Sequence, residues 1–118
     1  MKSSILGASS ELQCAYKLVE LGWAVAFPFT HDNPFDILIY KEGMIRSVQV
    51  KGTEYAEHQK NVIKANWDRY LEVDYTILHD RVYRSWYIFQ KGELKGRRSI
   101  TLDPNKLHEI HNNWKLIK

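Results

Sequence analysis

FDILIYKEGMIRSVQVK, residues 35–51, is the stretch on which the fold turns. Phe35 to Tyr40 and Met44 to Lys51 are apolar, β-prone runs, and Lys41-Glu42-Gly43 between them carries a glycine near its end. Two such runs about a short glycine-containing link predict an antiparallel hairpin. With Glu42-Gly43 as a two-residue turn, paired residues sum to 85, so Lys41 faces Met44 and Asp36 falls opposite Gln49. A three-residue turn shifts the sum to 84 and sets Asp36 against Val48, on the other face. Because strand side chains alternate, Gln49 and Lys51 share one face while Val48 and Val50 point to the other, which a helix can cover.

Such a helix is predicted upstream. Between Ser4 and Leu21, Ile5, Ala8, Leu12, Ala15 and Val19 recur at helical spacing, and Gly22 supplies a stop. Glu11 lies between the directions of Ala15 and Leu18, bordering the apolar stripe, where a carboxylate needs a partner. Trp23 to Phe29 reads as a strand and Thr30 to Pro34 as a loop. His31-Asp32-Asn33 is weighted towards forming that loop over bordering a cleft.

Beyond the hairpin, Gly52 to Lys64 is polar and aperiodic, followed by a short helix over Ala65 to Leu71. Strands are predicted at Tyr75 to His79, Ser85 to Gln90 and Arg98 to Leu102, and a final helix from Pro104 to about Trp114. The order is that of an α/β fold: a single mixed β-sheet flanked by helices, in one domain over residues 1–118.

Composition narrows the function classes. A hydrophobic fraction of 44% with 26% charged residues excludes a disordered chain. The net charge of +3 and a pI near 9.0 favour an anionic partner without identifying one. No apolar run reaches the roughly 18 residues of a membrane span, so a soluble, cytoplasmic protein without a membrane partner is expected. Cys14 is the one cysteine, which excludes an intrachain disulfide and a thiolate zinc site, and it reads as a small apolar helix residue. Among the 5 histidines, His108 and His111 are three apart with no evident third ligand, and surface or core positions are expected for all.

The residues around the hairpin carry the chemistry. Asp36, Glu11 and the Val50 carbonyl are hard oxygen donors of the kind magnesium prefers, usually one or two carboxylates completed by water and substrate phosphate. Lys51 can stabilise an attacking hydroxide or the charge growing on a phosphate, and Gln49 can orient water or a ligand. Metal-dependent phosphodiester cleavage uses this set.

Pro34-Phe35-Asp36, twelve intervening residues, then Gln49-Val50-Lys51, with Glu11 as the helix acid, resembles the PD-(D/E)XK nuclease superfamily. The run Val48-Gln49-Val50-Lys51-Gly52-Thr53 is similar to that of small homing endonucleases associated with group I introns and, next, of archaeal-type Holliday junction resolvases. The resemblance covers about the first 55 residues. It implies a restriction-endonuclease-like core and a homodimeric or homotetrameric DNA endonuclease using Mg2+, with Mn2+ as an alternative. Glu11, Asp36, Gln49 and Lys51 would be catalytic, and Asp36, Val50 and Glu11 would hold the metal. Two departures stand out: one residue separates Pro34 from Asp36, and the uncharged Gln49 replaces an acid. A homing-type enzyme leads, with a junction resolvase second and a non-catalytic DNA-binding module third.

Arg81, Arg84, Lys95, Arg97 and Arg98, partly interleaved with Tyr83, Trp86 and Tyr87, are the candidate DNA-phosphate contacts, Trp86 itself being favoured as core. Tyr55, His58, Gln59 and Lys60 follow the hairpin, where a polar loop could reach a groove, with no base-reading code in their spacing.

Overall fold

The computed structural model describes residues 3–30, 33–53 and 61–118. His31, Asp32, Tyr55, His58, Gln59 and Lys60 lie outside them. Helix α1, Ser3–Glu20, closes with Gly22 at φ +93°. Gly22 N–H donates to Val19 O at 3.0 Å and Trp23 N–H to Leu18 O at 3.0 Å, the paired reverse bonds of a Schellman stop.

Strands β1 (Ala24–Ala26), β2 (Ile37–Lys41), β3 (Met44–Gly52), β5 (Tyr75–Asp80) and β6 (Ser85–Gln90) form a sheet in the order β1-β2-β3-β5-β6. Only β3 and β5 run parallel, which makes the sheet mixed. The hairpin takes its two-residue form: Glu42 and Gly43 have φ of 51° and 82°, the double positive φ that matches strand twist. Lys41 pairs with Met44 and Ile37 with Val48.

One face of the sheet packs on α1, where Cys14, Ala15 and Leu18 meet Ile37, Ile39, Val48, Val50, Ile77 and Ile88. Each large aliphatic side chain so buried stabilises the fold by about 1.5–3 kcal/mol. The helix is rolled from the predicted orientation. Ile5, Leu12 and Val19 are exposed at 54, 61 and 55%, and the inward side is Ser10, Cys14, Ala15 and Leu18. Short, slim residues let the helix lie close to the valine-rich face of β3.

The opposite face carries Leu78, Tyr87 and Phe89, covered by a second sheet of β4 (Val62–Lys64) and β7 (Ser99–Thr101) and by the 3₁₀ turn Trp67–Tyr70. β4 falls in the stretch that showed no period. The strand expected over Trp23 to Phe29 shortens to β1. The helix expected from Pro104 to Trp114 is replaced by turns, with a 3₁₀ turn at Trp114–Leu116. Its residues serve the open edge of β6: Ile88 N–H donates to Ile110 O, Asn112 N–H to Trp86 O, and Trp86 N–H to Asn112 Oδ1. Covering a bare strand edge outweighs local helical preference here.

Candidate active site

Strand β2 begins at Ile37, the residue after Asp36. Asp36 N–H donates to Val48 O at 2.8 Å, and its Oδ2 accepts the Val50 N–H at 2.9 Å. The carboxylate thus takes the place of the backbone acceptor that another strand residue would have provided. Burial raises the Asp36 pKa, opposed by the Val50 N–H, by the Lys51 charge and by a hydrogen bond with the Glu11 side chain. Two acids from separate elements, α1 and the start of β2, therefore share one half-buried spot.

Cys14, one helical turn from Glu11, lies beneath them. Burial, and then the charges of Asp36 and Glu11, push its pKa up, so it stays a neutral thiol. The protonated form carries no nucleophile.

Gln49 and Lys51 leave β3 on the other face. Gln49 is only 5% exposed, and its Nε2 donates to Val50 O at 3.4 Å, bringing its amide to the carbonyl of the same peptide segment. Lys51 Nζ lies 5.5 Å from the centroid of the Tyr70 ring, a cation–π distance, while its charge lowers the Asp36 pKa. The structure therefore brings Glu11, Asp36, Val50 and Lys51 together about the end of β3, with Gln49 attached through Val50. The donor chemistry fits a hard divalent cation: two neighbouring carboxylates, one with raised proton affinity, and a peptide oxygen.

The basic candidates divide. Lys95, Arg97 and Arg98 are exposed in and after the turn that follows β6. Arg98 Nη1 donates to Asn66 Oδ1 at 3.3 Å and lies 3.8 Å from Asp68 Oδ2, which ties it to the 3₁₀ turn bearing Tyr70. Arg84 is exposed at φ 53° and lines a cleft of about 460 Å³ with Asp80, Tyr83 and Asp103. Arg81 sits apart from these, half-buried at the end of β5. Trp86 is partly buried and stacks on His79, with centroids 3.9 Å apart and planes 5° from parallel.

Sequence reasoning missed the polar group around Arg81. Ser10, Thr53 and His79 are 1, 1 and 4% exposed, and Ser10 Oγ lies 2.8 Å from His79 Nδ1. The signal available was position: Ser10 precedes Glu11, and Thr53 follows Lys51 by two residues.

A helix laid on a mixed five-stranded sheet, with an acid at the start of β2 and a lysine near the end of β3, defines a restriction-endonuclease-like α/β fold. The model of the PD-(D/E)XK endonuclease family matches residues 1–85, and the chain belongs to that family. Nucleases of the family typically use a divalent metal. Over 102 residues the chain is 28% identical to Protein 5.3 of Escherichia phage T7, spanning 81% of this chain and 86% of that protein. The bacterial homing endonuclease I-Ssp6803I has a similar fold, with a TM-score of 0.84 at 20% identity, covering 98% of this chain and 91% of that one. Among the described residues, no helix is long and apolar enough to cross a membrane.

Proposed function

We propose that the protein is a magnesium-dependent DNA endonuclease of the site-specific, homing type. Asp36, Glu11 and the Val50 carbonyl hold the metal, Lys51 stabilises charge on the phosphate, and Gln49 acts through Val50. The observation that carries this reading is the Asp36 carboxylate, fixed by the Val50 N–H and flanked by Glu11 and Lys51.

Bound magnesium would polarise the phosphate and lower the pKa of a water nucleophile. The chain's own contribution is pre-organisation. The Val50 N–H occupies one face of the Asp36 carboxylate, fixing its direction before substrate arrives. Burial makes isolated charge on Asp36 costly, and a cation relieves that cost. Lys51 adds a positive charge from the opposite face of the sheet, suited to a phosphate passing over the strand end.

Lys95, Arg97 and Arg98 grip the DNA backbone beside this end, since Arg98 is anchored to the turn whose Tyr70 contacts Lys51. One chain supplies one site, so a double-strand cut takes a homodimer or homotetramer. The homing type draws support from the fold shared with I-Ssp6803I. Manganese should substitute for magnesium.

The test is cleavage of plasmid libraries carrying candidate targets and of a synthetic four-way junction, with magnesium and with chelator. Sequence-dependent cutting that disappears in Asp36→Ala and Lys51→Ala is expected. Preference for the junction regardless of sequence would make it a resolvase, and binding of target DNA without cutting would make it a binding module.

A further inference from the structure

A partly buried polar tie joins the two elements that deliver Glu11 and Lys51. Arg81 Nε donates to Ser10 Oγ at 3.0 Å, and Arg81 Nη1 donates to the Thr53 carbonyl. The Arg81 backbone N–H also donates to Thr53 Oγ1 at 3.0 Å, while Thr53 N–H donates to His79 O at 2.9 Å. Ser10 Oγ, which accepts from Arg81, also lies within hydrogen-bond distance of His79 Nδ1, 2.8 Å away. His79 is held in turn by its stack on Trp86.

Gly52, directly after Lys51, lies under this tie. A Cβ there would collide with the Arg81 guanidinium and would come within 2.8 Å of Ser10 Oγ. The strand end thus has no side chain at the point where the guanidinium crosses it.

We infer, on the nuclease reading above, that Arg81 is a positioning residue, locking the helix turn of Glu11 to the strand end of Lys51 through Ser10 and Thr53. Phosphate contact is the competing role for an arginine in such a protein. Two of its side-chain donors are already directed at acceptors inside the chain, in a fork whose spacing matches a hydroxyl and a carbonyl. An arginine used this way sets geometry, and a misplacement of about 1 Å at a reacting group costs on the order of 100-fold in rate.

The experiment compares wild type, Arg81→Ala, Ser10→Ala and Arg98→Ala. It measures single-turnover cleavage of the DNA that wild type cuts, and binding of that DNA in calcium at several salt concentrations. Expected for Arg81→Ala and Ser10→Ala is a rate about 10- to 100-fold lower at saturating DNA. Their slope of log affinity against log salt should stay at the wild-type value, and added guanidinium ion should partly restore Arg81→Ala but not Ser10→Ala. Arg98→Ala should instead lose about 0.9 of that slope. The same slope loss in Arg81→Ala would overturn the proposal in favour of a phosphate contact. Wild-type rates in both Arg81→Ala and Ser10→Ala, with wild type cutting, would also overturn it and leave the nuclease reading intact. A wild-type chain that cuts nothing would remove that reading and this role with it.

Discussion

The two faces of the central sheet are covered in opposite ways. On one, the 18-residue helix α1 is laid across the strands, with Trp114, Leu116 and Ile117 of the C-terminal segment packed into the same cluster. On the other, two three-residue strands, one 3₁₀ turn and an irregular tail enclose a cluster of similar chemistry. A single regular element can hold an acid in a fixed direction, and α1 does so for Glu11. A patchwork supplies more exposed termini and turns, and it is there that Lys95, Arg97 and Arg98 are displayed. The candidate site uses both, because β3 offers the Val50 N–H to the Asp36 carboxylate and carries Lys51 on its other face.

That division can be broken experimentally. The largest effect is expected on cleavage: Asp36→Ala and Lys51→Ala should each lower the rate by about 100- to 1,000-fold. If the faces act as one unit, the double variant should be little worse than either single variant, and additive losses would argue for independent roles. Next come the cores. Leu18→Ala and Ile100→Ala, one on each face, should each cost about 2–5 kcal/mol in urea unfolding, with one transition seen by two spectroscopic probes. A second transition in Ile100→Ala alone would show that the patchwork face unfolds by itself.

The His79 environment gives a pH-dependent effect of intermediate size. Burial, and secondarily Arg81, lowers its pKa from 6.5 to about 4, so the folded protein keeps the ring neutral. Stability from this group is fully present above pH 6.5 and is lost as pH falls towards 4, because the unfolded chain takes up the proton first. The loss is on the order of 3 kcal/mol, and His79→Phe should flatten that window in acid titrations of unfolding. The smallest effect belongs to the outer side of α1: Leu12→Ala should change stability by no more than about 0.5 kcal/mol. A cost near that of Leu18→Ala would contradict the roll of the helix.

The helix-covered face was the more legible in sequence, though not completely. The hairpin followed from local chemistry, since Glu42-Gly43 fixes the turn and the turn fixes the pairing of every residue behind it. The helix itself was clear, but its rotation was not. Apolar residues lie on two sides of α1, and the period alone favoured Leu12 and Val19 over the buried Ser10 and Cys14. Only the close fit against Val48 and Val50 makes the small residues the inner ones. On the other face, β4 and β7 are too short for alternation to register. The tail after Pro104 carried helical cues that the open edge of β6 overrode. The acids and Lys51 were visible through their spacing, whereas Ser10, His79 and Arg81 meet across 71 residues, as the Arg81–Ser10 hydrogen bond shows.

The carboxylate that stands in for a backbone acceptor at Val50 turns one peptide group into a built-in reporter. Asp74 does the same job for Ser47, whose N–H it accepts at 2.8 Å, at a point on β3 three residues from Val50. The two amide protons form a matched pair, each ending on an aspartate. In a nitrogen-edited spectrum, the Val50 resonance and its solvent-exchange rate should respond whenever another positive group competes for Asp36, while Ser47 stays in place as the internal reference.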